Sequence, residues 1–181
     1  METRANNLRI VNACRNDLPK LRDLMRKSIE SLQAPFLTKT QIRASYEVMG
    51  LDTQLIEDGT YFTVFADKHL AGCGGWSKRA TLYGGDHSKG RSARLLDPDT
   101  EAARIRAMYT HPDYTRRGVG RLILENCEQA ARNAGFARAE MMATLAGVPL
   151  YEACGYAKIE EVFDQTSDGT KIPLIRMGKP L

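Results

Sequence analysis

A chain of 181 residues, 43% hydrophobic and 27% charged, is sized and balanced for one globular domain with its own core. No apolar run approaches the roughly 20 residues that cross a bilayer, so no membrane is expected as a partner. The formal net charge of +4 is small and its lysines and arginines are spread among acids, so nothing asks for nucleic acid and a mildly basic site for an anion is enough.

In chain order, METRANNLRIVNACRND contains no apolar h-region, so the expectation is no secretory signal and a cytoplasmic location. LRIVNA (8–13) reads as a short strand. Asp17 then offers an N-cap and Pro19 falls in the first turn of a helix whose Leu18, Leu21, Leu24, Met25, Ile29 and Leu32 recur at helical spacing. A second helix is expected over 39–49, with Ile42, Tyr46 and Met49 as a weaker stripe. TYFTVFAD (60–67) and HLAGCGGWS (69–77) form a hairpin turning at Asp67 and Lys68, and Gly72, Gly74 and Gly75 point to bulging or close backbone approach. Residues 78–102, rich in Gly, Asp, Ser and Arg, read as a long variable loop. ARIRAMYTH (103–111) is a strand ended by Pro112. In the helix that follows, Leu122, Ile123, Cys127, Ala130, Ala131 and Ala134 share one face, and Arg121, Glu125, Glu128, Gln129 and Arg132 the other, with Gly135 as the stop. A strand over 137–144, a short helix in AGVPLYEAC and a final antiparallel pair around Ser167, Asp168 and Gly169 complete the order β-α-α-β-β-β-α-β-α-β-β. That is an α/β chain of the α+β kind, a single domain over 1–181 with a mixed, mostly antiparallel central sheet flanked by helices.

Cys14, Cys73, Cys127 and Cys154 make no C-x-x-C pair and have small or apolar neighbours, so reduced, buried thiols are expected and no metal.

The stretch THPDYTRRGVGRLILENCEQAARNAG (110–135) carries the chemistry. A helix start exposes backbone N–H groups without intrahelical acceptors, and the aligned peptide dipoles add partial positive charge, so an anion is stabilised there. Gly118 and Gly120 let a ligand approach the backbone, and Arg116, Arg117 and Arg121 add formal charge. This is a cradle for a phosphate or pyrophosphate; a plain strand-to-helix turn with solvated arginines would use the same residues. A Walker A loop is excluded because no Lys-Ser/Thr follows the glycines, and a dinucleotide fingerprint because Ile123 occupies the third glycine position.

RRGVG before a helix, preceded by a strand ending in THPDY, resembles the acetyl-CoA-binding motif of the GNAT (Gcn5-related N-acetyltransferase) superfamily, and the downstream LYEACGY resembles that family's FYEKLGF segment. The resemblance extends over nearly the whole chain and is most specific over 104–156. It implies an acetyl-CoA-dependent N-acetyltransferase, with acetyl-CoA as cosubstrate and a small-molecule or peptide amine as acceptor. The amides of Arg116, Arg117, Gly118, Val119, Gly120 and Arg121 would hold the pyrophosphate, with Thr115 at the usual Gln/Arg position. The backbone of Met108, Tyr109 and Thr110 would pair with the pantetheine arm like an added strand. Thr144 stands where many relatives have Asn against that arm.

The resemblance also makes the Met108 N–H the oxyanion donor and Tyr151 the acid that protonates the leaving thiolate, a role suited to a phenol whose ordinary pKa is roughly 10. Arg104 occupies the family's glutamate position and cannot act as a base. Glu140, Glu30, Asp86 and Glu101 are open alternatives, each also readable as a solvated acid; His111 reads as a turn residue and His87 as solvent-exposed. Trp76 and Tyr83, at the start of the variable segment, are candidates to line an acceptor pocket, Trp76 reading rather as a core or hairpin residue. Relatives often pair, which leaves room for a homodimer. Two other readings stand beside the enzyme: a non-catalytic acyl-CoA-binding sensor of the same fold, and an interaction domain using residues 78–102.

Overall fold

The computed structural model describes residues 7–181; the first six, part of the stretch read for a leader, lie outside the described residues. The elements are Leu8–Asn12 (β1), Leu18–Leu32 (α1), Lys39–Ala44 (α2), Thr53–Glu57 (α3), Tyr61–Ala66 (β2), His69–Ser77 (β3), Ala103–Thr110 (β4), Val119–Asn133 (α4), Arg138–Thr144 (β5), Val148–Ala153 (α5), Ala157–Gln165 (β6) and Lys171–Pro180 (β7). They build one seven-stranded sheet in the order β1-β2-β3-β4-β5-β7-β6. Every pairing is antiparallel except β4 with β5. That parallel ladder consists of Ala103 opposite Ala139 and Arg104 opposite Glu140, and then the two strands part.

Both faces of the sheet are covered. On one, Ile123, Leu124 and Cys127 of α4 meet Val64, Ala71, Ile105, Met141 and Met177. The glycines of β3 permit this: a Cβ on Gly72 would lie 2.5 Å from Val119 Cγ1, and one on Gly74 2.8 Å from Ile123 Cγ2. The close approach expected from the sequence is therefore helix on strand. Trp76 belongs to the same core, edge-on to Phe136 at 6.1 Å. On the other face, Leu21, Leu24 and Met25 of α1 pack with Leu55, Tyr61 and Cys73.

Four expectations change. The second helix ends at Ala44 and passes into a 3-10 turn over Ser45–Glu47, because the Ser45 hydroxyl donates to the Ile42 carbonyl (2.7 Å) and ends the α-helical ladder. The single turn α3 is new; five residues are too few to show a period. Glu128 is buried rather than on the solvent face, since Lys179 reaches it at 2.9 Å. Cys14 is exposed and Cys154 half-buried, whereas Cys73 and Cys127 are buried as expected; the two exceptions sit at turns, where small neighbours say nothing about burial.

The 78–102 segment is folded down rather than free. The Ala80 amide donates to the Arg94 carbonyl (2.9 Å), the Leu96 amide to the Lys78 carbonyl (2.8 Å), and the Leu96 side chain enters the core. At its root, Arg79 Nε and one terminal nitrogen donate to the two oxygens of Asp58 at 2.7 and 2.8 Å. These bonds hold the Asp58 carboxyl below its ordinary value of 3.8. Their stabilisation is full above that ordinary value and is lost as pH falls through the depressed one. Asp58→Asn is therefore expected to flatten the loss of urea stability as pH falls from about 5 to below the ordinary value of 3.8. An unchanged slope would show that the pair is spent on local order alone.

Candidate active site

The site begins with a defect in β4. Cys73 of β3 faces Tyr109 and Gly75 faces Arg106, so Ala107 and Met108 together oppose Gly74. Ala107 is left-handed, φ 50°, a conformation that costs a non-glycine residue about 1–3 kcal/mol. The buried Tyr61 hydroxyl holds it there by donating to the Ala107 carbonyl at 2.9 Å. Nothing in the hydrophobic alternation of ARIRAMYT announces this bulge.

Beyond the last β4–β5 rung a cleft opens between the strands. Met108 and Tyr109 line one wall, Met141, Met142 and Thr144 the other, and Tyr151 of α5 the end; Val48–Gly50 and Leu82–Gly84 close the opposite side. Tyr151 is buried, edge-on to Tyr156 at 6.2 Å. Burial pushes its phenol well above the ordinary value, so the hydroxyl keeps its proton at neutral pH. The Tyr109 hydroxyl points away to the other wall, where it accepts the Gly50 amide at 3.0 Å.

Beside the cleft lies the start of α4. The chain leaves β4 through a 3-10 turn over Pro112–Tyr114, in which His111 Nδ1 accepts the Asp113 amide (3.2 Å), the turn role expected of it. Arg116 (φ 60°) and Gly118 (φ 83°) are left-handed on either side of Arg117. The first amide of α4 with a backbone acceptor is that of Leu122, which donates to the Gly118 carbonyl at 2.9 Å. Among the described residues no acceptor meets the amides of residues 116–121. Arg116, Arg117 and Arg121 are exposed around them, Arg117 lying over the Tyr114 ring at 5.2 Å. The two glycines divide the work expected of them jointly. The bare face of Gly118 looks into open space, whereas a Cβ on Gly120 would lie 2.6 Å from Leu150 Cδ2, so Gly120 admits α5.

The four candidate bases are all engaged. Glu140 takes Arg104 at 3.0 Å and Arg176 at 2.7 Å. Glu30 is bonded to Arg26 (3.0 Å) and Tyr46 (3.2 Å), and Asp86 accepts the Thr53 amide (2.9 Å). Glu101 is gripped by Arg94, which together with the Asp97 amide brings its carboxyl to about 2. His87 is tied by Nε2 to the Tyr46 carbonyl at 2.6 Å.

Sequence reasoning missed a buried ion cluster behind the site. Arg106 of β4, 3% exposed, pairs with Asp52 at 2.7 Å and donates to the carbonyls of Thr81 (3.0 Å) and Gly84 (2.7 Å); Arg91 reaches the other Asp52 oxygen at 2.8 Å. Arg104 and Arg106 look alike in sequence, and no spacing links either to Asp52.

The chain matches the model of the acetyltransferase (GNAT) family over residues 23–156. No curated protein matches it in sequence. Its backbone is similar to the GCN5-related N-acetyltransferase of Rhodopseudomonas palustris, with TM-score 0.70 and 18% identity over 96% of this chain and 95% of that one. It is similar to the PaiA N-acetyltransferase of Thermoplasma acidophilum in complex with coenzyme A, with TM-score 0.64 and 14% identity over 97% and 99%. YncA from Salmonella typhimurium, a structure with acetyl-CoA, gives TM-score 0.64 and 14% identity over 97% and 95%. At such identities the structures speak to the fold; together with the family model, they show that the chain belongs to the acetyltransferase (GNAT) family.

Proposed function

We propose that this protein transfers the acetyl group of acetyl-CoA to a primary amine of a small molecule or peptide by direct attack. The observation that carries the proposal is the free amide row at residues 116–121 beside a cleft that ends at a protonated, buried Tyr151. In this reading the row and its arginines hold the pyrophosphate. The backbone of Met108, Tyr109 and Thr110, opposite Thr144, lines the acyl-bearing arm. The Met108 N–H, next to the left-handed Ala107, donates to the oxyanion, and Tyr151 protonates the departing sulfur. The residues fit the cosubstrate, because Gly118 leaves its side of the turn bare.

Acetyl-CoA and CoA are expected to raise the melting temperature and ATP to do so less. Gly118→Ala, which places a Cβ on a left-handed residue at a cost of about 1–2 kcal/mol, is expected to weaken acetyl-CoA binding tenfold or more in calorimetry. Full stabilisation of that variant by acetyl-CoA would remove the 116–121 row from the binding site.

A second reading, an acyl-CoA-binding sensor without turnover, draws on one observation: Arg104 stands at the family's glutamate position and is locked to Glu140. Thiol release in the presence of primary amines separates the two, since a sensor releases none.

A further inference from the structure

Val48, Leu82 and Tyr83 of the cleft also line a second cavity of about 530 Å³, between the 78–102 segment and the turn joining β6 to β7. Two carboxylates line it. Glu47 is already used: its oxygens take the Ser167 amide (2.9 Å) and hydroxyl (2.7 Å), and these bonds hold it below the usual carboxylate range. Asp164, half-buried on β6, has no cation paired with it among the described residues. Tyr83 lines the same cavity, and burial and the nearby Asp164 carboxylate push its phenol up to about 12, so that it keeps its proton. Two further titratable groups line the cavity, His87, bonded to the Tyr46 carbonyl, and Lys89, whose charge is set against Glu47. Tyr83 thus lines both spaces, and Asp164 lines the second.

We propose that this second cavity receives the body of the acceptor and that Asp164 on its wall selects acceptors carrying a second positive charge beyond the reacting amine. The inference rests on the acetyltransferase reading and deepens it. The reacting nitrogen enters the first cleft past Tyr83, and a cationic group further along the molecule pairs with Asp164. A half-buried carboxylate repays such a charge more than a surface one does, because less water competes for it. A neutral acceptor of equal length leaves Asp164 without a partner and gains nothing from the pocket.

The test uses α,ω-diamines of about three to eight carbons against amino alcohols of the same lengths, titrated into the CoA-bound full-length protein and assayed as acceptors with acetyl-CoA. A charge-assisted hydrogen bond predicts a preference of about tenfold or more for the best diamine over its alcohol. Asp164→Asn should erase that preference, through KM rather than kcat, and leave stabilisation by CoA as it was. Glu47→Gln, which alters a charge already bound to Ser167, should keep the preference. Equal binding of diamine and alcohol to the unaltered protein, or a preference that survives Asp164→Asn, overturns the proposal. Absence of any stabilisation by CoA overturns the acetyltransferase reading itself and the proposal with it, and is recognised before any amine is added.

Discussion

Tyr151→Phe is expected to lower kcat for amine acetylation by about 10²-fold or more while leaving the affinity for acetyl-CoA close to unchanged. The substitution deletes one oxygen from a ring that stays packed against Tyr156 and keeps the end of the cleft filled. In the proposed reaction, what is lost is a proton donor. Burial holds the phenol in its protonated form well beyond neutral pH, so the donor is available through the whole physiological range. In the proposed reaction, loss of the hydroxyl leaves the thiolate to depart unprotonated or to draw a proton from water. Rapid-quench measurement of a single turnover separates this chemical step from binding and release. A variant with full single-turnover rate would remove Tyr151 from the reaction and shift weight to the sensor reading.

Asp52→Ala is expected to cost about 3–5 kcal/mol of stability, the range for breaking a buried ion pair from one side. Asp52 is 1% exposed and Arg106 3%, so removal of the carboxylate leaves a guanidinium in the interior with only the Thr81 and Gly84 carbonyls to answer it. For a chain of this size that corresponds to a fall in melting temperature of roughly 6–20 °C. The same deletion frees Arg91, and with it one anchor of the 78–102 segment. Pairing the change with Arg106→Met should restore much of the loss, because the stranded charge goes too. If the single variant melts within a degree or two of the parent, the cluster is hydrated rather than dry, and its stabilising role falls.

The parts of this molecule that were legible in the sequence are those written in short-range patterns. α1 shows its Leu21, Leu24, Met25 and Ile29 stripe, and all four are buried. The hairpin of β2 and β3 shows its turn, and Asp67 is left-handed there, φ 54°. The start of α4 shows its arginines and glycines, and its amides are indeed without acceptors among the described residues. What stayed hidden depends on residues far apart in the chain. The Asp52–Arg106 pair joins α3's N-cap to the middle of β4, Glu128 meets Lys179 from the last strand, and Asp164 shares a cavity with Tyr83 of a segment with no period at all. Local sequence carries no record of such partners; only the sheet order brings them together. The bulge at Ala107 was hidden for a different reason, since alanine gives no local sign of a left-handed backbone and the cause lies in Tyr61, on another strand.

The brevity of the β4–β5 ladder has a mechanical consequence. Among the described residues the β4–β5 ladder joins β1–β4 to β5–β7 at two rungs, Ala103 and Arg104, so a short seam runs through the centre of the sheet. Each side of that ladder is antiparallel throughout, and the two are joined instead by the core under α4 and by the Arg104–Glu140 pair, so a slight parting beyond the last rung breaks few ladder bonds. Whatever occupies the gap acts as a splint, and amide exchange on both of its banks should slow in concert when the gap is filled.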